Sequence, residues 1–246
     1  MRKEKVLIAF ADDLPRERER ITKAIDDLPN YKITVAATSG RDLILQLAQA
    51  KYLPQIILMD MQMPCCDGLL ATIICKRLFP TIKIVGLSSH TSIAVISEFI
   101  AEGGNAFFSK YLLVKDSISY KAYNQDNVFA NFLQQVIDNN TLFLDPLLEY
   151  NNKKHKNIIT TTQAIKAEFP KLKDYEITYL QLNAAGFTKP QIKIIMNREV
   201  ATIKKYFEKI SKKFGAENHT DLINICSNHG IIKMVNLFQK QELNTF

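Results

Sequence analysis

A chain of 246 residues with 47% apolar content is too long for one typical small domain and has enough apolar material for two buried cores. No run approaches the roughly 18 continuous apolar residues of a membrane helix, Met1–Lys5 does not open a secretory signal, and Cys65, Cys66, Cys75 and Cys226 have neither zinc-site spacing nor the look of a disulfide framework. A cytoplasmic protein with reduced thiols and no membrane partner is expected, and its net charge of +7 is unevenly shared: 16 Lys/Arg against 15 Asp/Glu over residues 1–140, but 16 against 10 over 141–246.

In chain order, Val6–Phe10 predicts a buried strand that ends on Ala11, Asp12 and Asp13. Arg16–Leu28 follows with helical period, then a strand over Tyr31–Ala37, a helix over Gly40–Ala50, and a strand over Gln55–Met59 that runs into Asp60. A helix over Leu69–Leu78, a strand over Lys83–Leu87, a helix over Ile93–Glu102 and a strand over Ala106–Ser109 complete five alternations. That pattern predicts an α/β domain built on a doubly wound, five-stranded parallel sheet. Tyr111–Gln125 is longer and more polar than a closing loop needs, which marks an insertion, and Asp126–Asn139 predicts the last helix of this domain.

Residues 141–170, with the hydrophilic Asn151–Lys156 and Thr160–Thr162, predict a linker. Residues 171–246 predict an all-α domain with helices over Tyr175–Ala185, Pro190–Met196, Val200–Phe214 and Thr220–His229. Two short helices joined by the tight turn Asn197–Glu199 have the pattern of a helix-turn-helix. Lys189–Lys213 carries eight basic residues against Glu199 and Glu208. Charge alone is compatible both with a solvated helix face and with a polyanion partner.

Open α/β sheets bind ligands beyond the carboxyl ends of their strands. Asp12 and Asp13, Asp60, Ser88 and Lys110 all fall there. Crowded carboxylates repel one another, and an all-oxygen cluster relieved by a divalent cation favours Mg²⁺ over zinc. Asp60, alone at the end of the central strand, is the candidate nucleophile towards a phosphoryl donor, with Lys110 and the Ser88 hydroxyl placed to meet phosphoryl oxygens. Asp67, before Gly68, is expected to be a turn or helix N-cap residue instead, and Cys65 and Cys66 are expected to be small loop residues rather than redox sensors.

These features resemble response-regulator receiver domains from about Val6 to Asn139, on the acidic pair, the segment LMDMQMPCCDG around Asp60, Ser88 after KIVGL, and Lys110 three residues after Phe107. The resemblance implies that Asp60 accepts phosphate from a sensor histidine kinase. It also implies Mg²⁺ on Asp13, Asp60 and the Gln62 main-chain carbonyl, with Asp12 helping through water. Ser88 and Phe107 would form the switch, and Gln62 and His90 occupy positions that tune acyl-phosphate lifetime. The family usually has Thr at Ser88.

Lys171–Ile232 resembles the DNA-binding output domain of the NarL/LuxR class, on Leu172 and Glu176 in LKDYE, Gly186 in AAGFT, TIKKYFEKISKKFGA from Thr202 and the tail NHTDLINICSNHGII. The match makes Val200–Phe214 the recognition helix. Lys204, Lys205 and Glu208 then face bases, Lys209, Lys212 and Lys213 meet phosphates or solvent, and Thr202 contacts a phosphate or caps. Departures are Lys193 for a small packing residue, Arg198 and Glu199 for an apolar residue and a capping serine, and Tyr175 for arginine. The expected protein is a phosphorylation-controlled DNA-binding transcriptional regulator, a homodimer when active, with no enzymatic activity beyond Mg²⁺-dependent phosphorylation and dephosphorylation of Asp60. The alternatives are a signalling adaptor whose helical domain binds protein, and a metal-dependent phosphatase.

Overall fold

The computed structural model describes residues 4–89, 93–113, 128–138, 143–144 and 170–233. His90, the insertion from 114 onward and most of the linker segment lie outside the described residues. The chain falls into two compact units, one within Met1–Asn151 and one within Asn152–Met234. Among the described residues no helix is long and apolar enough to cross a membrane.

The first unit runs β1 (Val6–Ala11), α1 (Pro15–Asp26), β2 (Tyr31–Ala37), α2 (Gly40–Gln49), β3 (Ile56–Asp60), α3 (Gly68–Leu78), β4 (Lys83–Ser88), α4 (Ile93–Ala101) and β5 (Ala106–Ser109). One turn of 3₁₀ helix, Lys110–Leu113, precedes α5 (Val128–Asp138) and β6 (Phe143–Leu144). The strands are all parallel, in the order β2-β1-β3-β4-β5-β6. The expected doubly wound sheet is therefore present, and its first five strands have flavodoxin-like order. The sixth strand was not expected: it is two residues long, too short for any alternation to register, and it lies inside the stretch read as linker, paired with Ala106 and Phe107 on the β5 edge.

Every residue of β3 is buried, as a central strand covered on both faces requires. Side chains alternate between those faces. Ile8, Phe10, Leu58, Leu87 and Phe108 pack against Ile21 and Ile25 of α1 and Phe132 and Leu133 of α5. Phe107 points the other way, edge-on to Phe99 of α4 with ring centroids 5.6 Å apart. A Cβ on Gly86 would sit 2.6 Å from the Phe107 ring, so this glycine is what lets the ring pack so closely on β4.

The second unit is all helical: α6 (Asp174–Ala184), α7 (Lys189–Met196), α8 (Val200–Phe214) and α9 (His219–Asn228). Its core gathers Tyr179, Leu180, Leu182, Ile192, Ile203, Ile210, Leu222 and Cys226. Thr188 and Gln191 form a capping box at the start of α7. Asn197, at φ 48°, turns the chain between α7 and α8 in a left-handed conformation that asparagine tolerates better than most side chains. Gly215, at φ 67°, ends α8 as expected of a glycine past the last turn.

Gly68, the first residue of α3, lies so close to the end of β3 that an added Cβ would collide with the Asp60 carbonyl oxygen and stand 2.8 Å from Met61 Cα. Both obstacles are backbone and cannot rotate away. Gly68→Ala is expected to lower the unfolding free energy by about 1–3 kcal/mol, as read by urea denaturation, and an unchanged midpoint would contradict this packing.

Candidate functional site

The loops after β1, β3 and β5 converge because parallel strands end on the same edge. Asp12 is fully buried, Asp60 is 3% exposed and Lys110 is 7% exposed. The Lys110 ammonium bridges the two acids, 2.7 Å from an Asp12 oxygen and 2.9 Å from an Asp60 oxygen. At an effective dielectric of about 20 each such contact is worth roughly 6 kcal/mol of attraction, before the cost of desolvating the charges. Asp12, Asp13 and Asp60 bring one oxygen each within 4.8 Å of one another.

The three acids are held differently. Asp12 uses one carboxylate oxygen on Lys110 and the other on the Leu14 amide, 3.0 Å away. Asp60 accepts from Lys110 and from the Gln62 amide. The Asp13 carboxylate has no hydrogen bond or ion pair among the described residues. An all-oxygen cluster with one uncommitted carboxylate suits a hard divalent cation such as Mg²⁺.

Burial pushes the Asp60 carboxyl up to about 6, and Asp12 adds to the rise, against the lowering pull of Lys110 and the Gln62 amide. For Lys110, burial disfavours the ammonium, but Asp60 and Asp12 outweigh it and hold its pKa above the ordinary lysine value. The pocket keeps its cation and resists a further negative charge.

Ser88, the last residue of β4, is buried beside Ser109 of β5. Phe107 is also fully buried. Asp67 is a helix cap, as expected: its Oδ1 accepts from the Leu70 amide at 2.8 Å, and burial pushes its carboxyl up to about 6. Cys66 and Cys75 are buried, which raises both thiols and pushes Cys75 up to about 12, while Cys65 is exposed on a left-handed loop position at φ 67°.

One residue that sequence reasoning did not single out is Arg18 of α1. Its Nη1 donates to the main-chain carbonyls of Asp12 at 3.0 Å and Asp13 at 2.9 Å. Spacing alone offered a hint, since a long side chain one turn into a helix folds back over its N-terminus.

In the helical unit, Lys204, Lys205, Glu208 and Lys212 lie on the exposed face of α8, and Thr202 is half-buried. Lys209 is exposed but engaged, 3.0 Å from Glu176 and 3.1 Å from the Tyr175 hydroxyl. Lys213 lies 2.8 Å from the same glutamate. Glu176 is fully buried on α6; burial opposes its charge, yet Lys213, the Lys173 amide and Lys209 together bring its pKa down to about 2. Tyr175 stacks on Tyr206, with centroids 4.8 Å apart. Two of the departures noted in the sequence meet each other: Lys193 pairs with Glu199 at 3.3 Å. Glu199 stands at the start of α8 without capping it through its side chain. A surface pair of this kind adds at most about 1 kcal/mol. Lys193, Ile194, Asn197, Arg198, Glu199 and Thr202 line an open groove at this turn.

Comparison with known proteins gives a consistent picture. Residues 8–118 match the family model of the response regulator receiver domain. The uncharacterized transcriptional regulatory protein YxjL of Bacillus subtilis is 28% identical over 95% of this chain and 100% of its own length. The response regulator VraR of Staphylococcus saprophyticus is 23% identical over 93% of this chain and 99% of its own. Among solved structures, the response regulator RcsB of Salmonella typhimurium shares the fold with a TM-score of 0.50 at 20% identity, covering 92% of this chain and 100% of that one.

The raised Asp60 carboxyl has a consequence for stability. Its folded value of about 6 lies above the ordinary 3.8, so ionising it in the fold opposes folding; the penalty is absent below about pH 4 and complete above about pH 6. In metal-free protein, Asp60→Asn is expected to raise the unfolding free energy by about 1–3 kcal/mol near pH 7.5, an advantage that fades towards pH 4. Urea titrations at the two pH values check this; equal stability near pH 7.5 would contradict the cause assigned here.

Proposed function

We propose, from the match of residues 8–118 to the response regulator receiver family model, that the chain is a phosphorylation-controlled, DNA-binding transcriptional regulator of a two-component system, cytoplasmic and homodimeric when active. The observation that carries the proposal is the buried Lys110 ammonium bridging Asp12 and Asp60 beside the uncommitted Asp13 carboxylate.

Asp60 is the phosphoacceptor. One of its oxygens attacks the phosphorus of a phosphohistidine on a sensor kinase; the P–N bond breaks, the imidazole leaves, and an acyl phosphate remains on Asp60. Asp13, Asp60 and the Gln62 main-chain carbonyl would hold Mg²⁺, with Asp12 acting through water. When bound, the ion supplies positive charge against the crowded carboxylates and the phosphoryl oxygens. Lys110 keeps its charge under burial and meets one phosphoryl oxygen, while the Ser88 hydroxyl donates to another. Ser88 and Phe107 form the switch: a move of the Ser88 hydroxyl towards the phosphoryl group favours the inward position of Phe107, the one the ring holds here against Gly86 and Phe99. The catalytic repertoire is limited to phosphorylation and dephosphorylation of Asp60 itself.

The output is read by α8. Lys204, Lys205 and Glu208 present donors and an acceptor to base edges, Thr202 and Lys212 contact phosphates, and Lys209 contributes to the basic field while tied to Glu176. Support comes from the exposed lysines on one helix face, from the description of YxjL as a transcriptional regulatory protein, and from the RcsB structure, whose subject is DNA interaction.

A gel-shift titration on duplex DNA at two salt concentrations, with and without a small phosphodonor and Mg²⁺, tests the proposal. The expected result is salt-sensitive binding that tightens on phosphorylation and loses that response in Asp60→Ala. Absence of binding in every condition, with Asp60 still phosphorylated, would move the function to an adaptor that binds protein.

A further inference from the structure

We infer that Arg18 is a positioning residue for the divalent-cation site: it sets the Asp13 carboxylate by clamping the main chain on either side of it. The inference rests on the assignment of the acid cluster as a cation site.

The pocket poses a mechanical problem. Asp12 and Asp60 are fixed by their side chains, through Lys110, the Leu14 amide and the Gln62 amide. Asp13 has no such anchor among the described residues, although it sits at intermediate burial between two held neighbours. Its side chain can be aimed only through its backbone. β1 ends at Ala11, and α1 starts at Pro15 after Leu14, whose apolar side chain makes no capping bond. The Asp12 amide still donates to the Ala37 carbonyl of β2, and the Leu14 carbonyl accepts the first bonds of α1, which leaves the Asp12 and Asp13 carbonyls between the strand's bonds and the helix's.

Arg18 supplies what is missing. Its amide is tied into the first turn of α1, donating to the Leu14 carbonyl at 3.0 Å. From there a single guanidinium nitrogen reaches back to the carbonyl oxygens of both Asp12 and Asp13. Fixing those two carbonyls fixes the peptide planes that follow Asp12 and Asp13, and with them the direction in which the Asp13 Cβ leaves the chain. Leu14 is meanwhile held at its own amide by Asp12 Oδ1. The two N–H bonds of that one guanidinium nitrogen suffice for both carbonyls, carried on a side chain long enough to span one helical turn.

The charge of Arg18 acts in the opposite sense. A cation beside the acid pair repels an incoming dication, so an electrostatic role alone predicts that its removal tightens metal binding. A positioning role predicts that removal weakens binding, because groups that orient metal ligands are typically worth tenfold or more in affinity.

The experiment is a Mn²⁺ titration of the full chain, followed by loss of the free-ion electron paramagnetic signal, for wild type, Arg18→Met and Arg18→Lys, with thermal melts of each metal-free protein. Arg18→Met is expected to bind Mn²⁺ roughly tenfold more weakly while its metal-free melting temperature stays within a few degrees of wild type, and Arg18→Lys is expected to fall between the two. Equal or tighter binding by Arg18→Met overturns the inference. Should that variant fail to fold, weakened binding by folded Arg18→Lys supports the role and wild-type affinity overturns it. No Mn²⁺ binding by the wild-type protein overturns the cation site itself, and the role of Arg18 with it.

Discussion

The buried ion pair of Lys110 with Asp12 and Asp60 is the constraint around which the first unit is arranged. Parallel strands necessarily bring their carboxyl ends to one edge, and this sequence puts acids on two of those ends and a lysine just after a third. Three carboxylates crowded at one sheet edge, two of them buried, would not tolerate one another without a counter-charge. Lys110 supplies one unit of it, and the remaining negative charge leaves the site receptive to a dication. Burial makes the arrangement responsive: the same low dielectric that raises the Asp60 carboxyl strengthens every interaction a bound phosphoryl group would make there.

The rest of the unit transmits geometry into that pocket. Asp12 fastens the start of α1 through the Leu14 amide, and Asp67 fastens the start of α3. Gly68 brings α3 against the Asp60 carbonyl, so the helix and the phosphoacceptor share a wall. On the α4 side, Ser88 ends the strand to which Gly86 belongs, and Gly86 gives Phe107 its bed. The helical unit uses the same device in simpler form. Its buried Glu176 is made tolerable by Lys209 and Lys213, which draws two lysines of α8 towards α6 and leaves Lys204, Lys205 and Lys212 to the solvent face.

Much of this was legible in the sequence, because apolar strands of five or six residues that end abruptly in Asp, Ser or Lys declare both their burial and their edge. The strands that deliver the site and the meeting of Asp12, Asp13, Asp60 and Lys110 follow from that pattern, while the four helices of the second unit follow from their helical period and the glycines that end most of them. The rest depended on contacts that leave no periodic trace. A two-residue strand such as Phe143–Leu144 cannot alternate. Arg18 resembles any other charge on the charged face of α1 until its reach is measured, and Lys209 could not be distinguished from its neighbours without knowing that Glu176, far away in sequence, lies beneath it. Lys193 and Glu199 look like two separate departures in a linear reading and prove to be one ion pair.

The measurement that bears most directly on the central claim is the location of the phosphoryl group. Treating the protein with a small phosphodonor and Mg²⁺, then reducing any acyl phosphate with borohydride and mapping the peptides, should convert Asp60 to homoserine and leave Asp12, Asp13 and Asp67 unchanged. Labelling at another carboxylate, or none in the presence of Mg²⁺, would contradict the assignment of this pocket.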